Sequence, residues 1–157
     1  MGLADRPGRW PHEILPDPVP DARLPPLRSI EALAARKAQL AEVALARARQ
    51  QRQAAADAVV AAEDALAARI QFVQEERARQ LKEHQATAEG GSALRRWRQA
   101  DQALLDSIPP CRTAVADSQS ALRAAEQALL RAQDEQQRRA RRHEKFDMLI
   151  EQIVEDA

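Results

Sequence analysis

Few residues in this chain of 157 have the type and spacing that chemistry requires. His12, His84 and His143 stand in three different sequence contexts, none near a cysteine or a shared carboxylate spacing. Cys111 is the single cysteine, so no intrachain disulfide forms, and no CxxC or Cys/His cluster suggests zinc. Glu63–Asp64 and Glu75–Glu76 are adjacent carboxylates. On a helix such neighbours diverge by about 100°, which is poor geometry for an acid/base pair. There is no glycine-rich phosphate loop, no GxSxG and no HExxH. The expectation is a protein that is not an enzyme, with no catalytic, cofactor-binding or metal-binding residues. The remaining concentration of reactive character is electrostatic: Arg138, Arg139, Arg141, Arg142 and Lys145 around His143. Helical spacing spreads these charges around a cylinder, and Glu151, Glu155 and Asp156 follow them. No aromatic residues interleave them as in a nucleic-acid surface, so a solvated or protein-binding face is expected.

The elements that must carry these residues are helical. Alanine supplies roughly a fifth of the chain, against two Trp, two Phe, no Tyr and four Gly. Alanine favours helix but adds little apolar area on burial, so slender helix pairing fits and a thick core does not. Lys plus Arg equals Asp plus Glu, 24 of each, and net charge implies neither a nucleic acid nor an acidic membrane as partner. No apolar run approaches the length that spans a bilayer, and the start lacks a signal-peptide pattern. A cytoplasmic location is expected, without membrane insertion.

The strongest pattern is a three-four spacing through Ile108, Cys111, Val115, Ser118, Leu122, Ala125, Leu129, Ala132, Gln136, Arg139, His143, Phe146, Ile150 and Ile153, the signature of a coiled-coil seam. The seam turns polar at Gln136, Arg139 and His143. Leu94, Trp97, Asp101, Leu104 and Ile108 carry the same phase back across Pro109–Pro110. A kink at 107–110 that preserves the buried face follows, with Asp106 or Ser107 as its cap.

Between Arg28 and Glu89 there is neither Pro nor Gly. This segment predicts one helix with Ser29 as N-cap and an inner stripe of Ile30, Leu33, Leu40, Ala44, Ala48, Ala55, Val59, Ala62, Leu66, Ile70 and Val73. Its four-four steps imply a drifting stripe, and the alanines from 54 to 68 imply closest helix approach there. The polar stretch from Glu75 to Glu89 reads as a solvated helix end with an Arg79–Glu83 pair. Gly90–Gly91–Ser92 is the turn: glycine for a left-handed cap, serine for the next helix start. The segments on either side of it are nearly equal in length.

The fold class is therefore all-α: a long antiparallel two-helix coiled-coil hairpin over 28–157 (helix 28–89, turn 90–92, helix 93–155) behind a disordered Pro-rich N-terminal arm, 1–27, that holds seven of the nine prolines. Trp10 anchors that arm to a partner or packs on its own helices. Trp97 packs the closing turn or contacts a partner. Met148 and Leu149 are candidates for outside contact.

An Ala-, Arg- and Gln-rich hairpin ending in Arg141-Arg142-His143-Glu144-Lys145-Phe146-Asp147-Met148-Leu149-Ile150-Glu151-Gln152 resembles the type III secretion stalk proteins of the YscO/HrpO (SctO) family, relatives of the flagellar export protein FliJ. The resemblance covers residues 27–157; the Pro-rich arm departs from it, because the family's first helix starts near the amino terminus. It implies a cytoplasmic part of an export apparatus at the inner membrane, serving virulence or symbiosis. The joined helix ends would enter a hexameric secretion ATPase, and the rod would couple that ring to the export gate, with secretion chaperones as further partners. Carried onto this chain, the ATPase contacts would be Arg36, Lys37, Arg138, Arg139, Arg141, Arg142, Lys145, Met148 and Leu149. The export-gate contacts would be Arg95, Arg96, Trp97 and Arg98. The other readings are a coiled-coil adaptor or scaffold and a nucleic-acid-binding helical protein using the arginines of 138–145.

Overall fold

The computed structural model describes residues 21–87 and 90–157. These form α1 (Leu24–Ala86), α2 (Gly91–Asp106) and α3 (Ile108–Asp156), with no strand among the described residues. Two long helical arms joined by a short turn result. The 63 residues of α1 correspond to a rod of about 95 Å. Cross-helix contacts fix the antiparallel pairing: Glu31 meets His143 near one end, and Arg77 meets Asp101 near the other.

The first helix begins before the expected boundary. Pro25 and Pro26 lie in the first turn of α1, where a missing N–H costs nothing because that N–H has no intrahelical acceptor. Residues 24–27 thus belong to the helix, correcting the reading of these prolines as arm; residues 1–20, with Trp10 and His12, lie outside the described residues. Ser29 is not the cap. Its Oγ donates to the Pro25 carbonyl at 3.1 Å inside the helix. Asp21 organises the entry instead: its Oδ1 accepts the Arg23 backbone N–H at 2.9 Å and its carbonyl accepts the Leu24 N–H at 3.0 Å. The Arg23 side chain, hydrogen-bonded at 2.6 Å, holds the Asp21 carboxyl down to about 2.

The second proline pair works the same way. Leu24-Pro25-Pro26-Leu27 opens α1, and Ile108-Pro109-Pro110-Cys111 opens α3. Between α2 and α3 only Ser107 intervenes; its backbone is helical (φ −77°, ψ −14°) and its N–H and Oγ–H both turn back to the Leu104 carbonyl, at 3.2 and 2.6 Å. Ser107 therefore closes α2 rather than capping α3 with its side chain. The expected break at 107–110 that keeps phase is observed: Leu94, Trp97, Asp101, Leu104 and Ile108 are all partly shielded from solvent.

The turn differs from expectation. α1 stops at Ala86, where Thr87 turns extended (φ −115°, ψ 130°) and donates its Oγ–H to the Glu83 carbonyl at 2.9 Å. Neither glycine is left-handed. Gly90 is extended (φ −76°, ψ 176°), and its carbonyl accepts the Ala93 and Leu94 N–H groups at 3.1 and 3.2 Å. It is the N-cap of α2, and Ser92 lies one residue inside the helix.

All fourteen seam positions of α3 are partly shielded, as the spacing predicts. The α1 stripe needs correction over its first half. Ile30, Leu33 and Leu40 are 44%, 53% and 61% exposed, and Ala44 is exposed as well. The inner positions are Leu24, Leu27, Glu31, Ala34, Ala38, Ala41, Leu45, Ala48, Arg52, Ala55, Val59, Ala62 and Leu66, a regular three-four repeat. Only beyond Leu66 do Ile70 and Val73 introduce the four-four step that was expected earlier.

The Glu31–His143 contact sets this phase at the start of α1, and there Ala34 lines the same groove as the long Arg139 side chain of α3. None of the alanines of 54–68 is fully buried. The buried positions lie on either side of that stretch, Ala34, Ala41, Leu45 and Ala48 toward the start of α1 and Val73, 2% exposed, toward its end.

Candidate functional site

The joined end, built from the start of α1 and the end of α3, combines exposed charge with exposed apolar surface. Ile30, Leu33 and Ala34 of α1 face Phe146 of α3 across a shallow groove whose rim is Lys37, Arg139 and Arg142. Displaced from the inner face by the alanine seam, Ile30 and Leu33 become groove walls. The Arg142 guanidinium lies over the Phe146 ring at 6.0 Å, a cation–π placement that keeps the charge at the groove edge.

The expected contact residues divide by electrostatic state. Arg138 and Arg139 both engage Glu135, at 2.6 and 2.7 Å, and the hydrogen bond from Arg139 holds the Glu135 carboxyl below its ordinary range. Their charge is partly spent within α3. Arg36, Lys37, Arg141, Arg142 and Lys145 are exposed and form no ion pair with the described residues. Met148 is 67% and Leu149 38% exposed. The fold therefore brings Lys37 together with Arg139 and Arg142 on one groove, while Arg36, Arg141 and Lys145 stand outside its lining.

The opposite end is held differently. Arg77 pairs with Asp101 at 2.6 Å, linking α1 to α2, and that hydrogen-bonded carboxylate raises the Arg77 pKa. His84 and Trp97 stack with ring centroids 5.1 Å apart and planes at 7°. Trp97 thus packs against α1, and its buried Nε1–H has no acceptor among the described residues. Arg95, Arg96 and Arg98 remain exposed beside it. The expected Arg79–Glu83 pair is present at 2.6 Å, and Arg79 also binds Glu76, whose carboxyl it holds below the ordinary range.

One grouping escaped the sequence reading. Glu31 accepts a hydrogen bond across the seam at 2.7 Å from His143 when Nε2 carries the proton, and Asp147, one turn on, lies 3.6 Å from the same nitrogen. Both His143 and Glu31 occupy seam positions, where polar residues usually weaken packing and specify register. The visible signal was Glu31 at a heptad position, which a stripe drawn through Ile30 and Leu33 had placed on the outside.

With this geometry in hand, comparison of the chain with protein-family models, curated proteins and solved structures gives no match. No helix among the described residues is long and apolar enough to cross a membrane.

Proposed function

We propose that this chain is a central-stalk component of a type III secretion system, coupling the secretion ATPase ring to the export gate and handling secretion chaperones. The observation that carries the reading is the concentration of exposed cations without an ion pair among the described residues at the joined end of a long, thin hairpin: Arg36, Lys37, Arg141, Arg142 and Lys145, beside exposed Met148 and Leu149. A rod end that sits within a ring of subunits needs solvated charge for orientation and a few apolar contacts for hold. Arg95, Arg96 and Arg98 at the other end form a second exposed basic group, suited to a separate partner, the export gate.

The direct test is co-purification of the full chain with the secretion ATPase hexamer of the same organism. Retention of the two together, sensitive to added salt, and faster ATP hydrolysis are the expected results. A second reading, a coiled-coil adaptor, rests on the outer apolar residues Ile30, Leu33, Leu40 and Val43 of α1, all more than 40% exposed. Absence of ATPase binding together with self-association in sedimentation would overturn the stalk and favour the adaptor.

A further inference from the structure

We propose that Glu31, His143 and Asp147 form a binding site for a divalent transition-metal ion of the zinc class, which clips the start of α1 to the end of α3. The three side chains offer one imidazole nitrogen and two carboxylate oxygens, all within 4.8 Å of one another. His143 and Asp147 lie one helical turn apart on α3, so their side chains project from the same face. Glu31 reaches them from the other helix. Zinc sits about 2.0–2.1 Å from nitrogen and about 2.0–2.2 Å from oxygen, which separates tetrahedral ligand atoms by roughly 3.3 Å. The observed separations from His143 Nε2, 2.7 Å to Glu31 and 3.6 Å to Asp147, straddle that value, and rotation of two partly exposed carboxylates is enough to open the first.

The ligand chemistry selects the ion. Imidazole nitrogen suits zinc, cobalt and nickel, whereas magnesium and calcium favour oxygen alone. Two carboxylates balance the double positive charge, and the proton on Nε2 leaves to solvent or is carried on Nδ1 as the metal takes the lone pair. Arg139 is held by Glu135 and Arg142 lies over Phe146, so neither is paired with these two carboxylates. Three protein ligands leave a further position for water. Two of them share a helix and the third does not, so metal binding joins the helix ends where the seam is polar.

Zinc ion is titrated into the full chain, freed of metal by chelator, with calorimetry and thermal melting by circular dichroism. One ion binds per chain and raises the melting temperature. Glu31→Gln and Asp147→Asn each weaken binding by roughly tenfold or more, and His143→Ala weakens it further, while all three retain helical circular dichroism. His84→Ala, at the other end of the hairpin, and Cys111→Ser leave the affinity unchanged. Cobalt in place of zinc gives visible absorption bands that His143→Ala removes. Magnesium gives no binding heat at the same concentrations. Absence of zinc binding, or binding that survives all three ligand substitutions, overturns the site.

Discussion

Leu45→Asp destabilises the hairpin by on the order of 3 kcal/mol, whereas Leu40→Asp, the same substitution five residues earlier, changes stability by about 0.5 kcal/mol. Leu45 is 8% exposed in the alanine seam and Leu40 is 61% exposed. Both substitutions carry the same helix-propensity penalty, so their difference reports burial alone. In the seam, a carboxylate loses water without gaining a cation. On the outer face it remains solvated. For a chain of this size, the Leu45 variant melts roughly 6–12 °C lower by circular dichroism and the Leu40 variant about 2 °C lower at most. Equal losses would contradict the phase of α1, and a larger loss at Leu40 would restore the stripe through Ile30, Leu33 and Leu40.

The second large effect concerns the proposed ATPase contact. Arg141→Glu combined with Arg142→Glu changes the formal charge of the joined end by four units, at two side chains that hold no ion pair with the described residues. Because neither supports the hairpin through a carboxylate, folding survives, and Arg142 loses only its placement over Phe146. Facing like charge across a contact costs several kcal/mol, so affinity for the ATPase falls by roughly a hundredfold. Trp97→Ala is the matched change at the other end. It removes the stack on His84 and costs about 1–2 kcal/mol of stability there, with ATPase affinity unchanged. Binding measured for both variants at one ionic strength separates the two ends; unchanged affinity in the double arginine variant would remove these residues from the contact.

How much of this was legible in the sequence depended on side-chain size. The α3 seam carries Leu122, Leu129, Phe146 and Ile150 at inner positions, so large apolar residues and partial shielding coincide, and the three-four spacing gives the face directly. On α1 they separate. Ala34, Ala41 and Ala48 are buried while Ile30, Leu33 and Leu40 are exposed, so on this helix the small residues and not the large ones mark the inner face. A stripe drawn through the largest apolar residues follows the wrong face until Ala48, where the two patterns merge. The same local chemistry predicts an arm at one Pro-Pro pair and a kink at the other, and only the surrounding helices distinguish their settings. Gly90 marked the turn correctly but acts through its carbonyl, not through a left-handed backbone. The basic joined end was visible as a run of residue types; the pairing of Arg138 and Arg139 with Glu135, which leaves Arg141 and Arg142 as the outward cations, needed the fold. Glu31 and His143 are 112 residues apart, and no local spacing connects them.

The measurement that bears most directly on the stalk reading is site-specific photocrosslinking within the complex of this chain and the secretion ATPase. A photoreactive phenylalanine analogue replaces Met148, exposed at the joined end, or Arg96, exposed at the opposite end. A stalk whose joined end enters the ring gives crosslinks from position 148 to ATPase subunits and none from position 96. Crosslinks to the ATPase from position 96 with none from position 148 would contradict it.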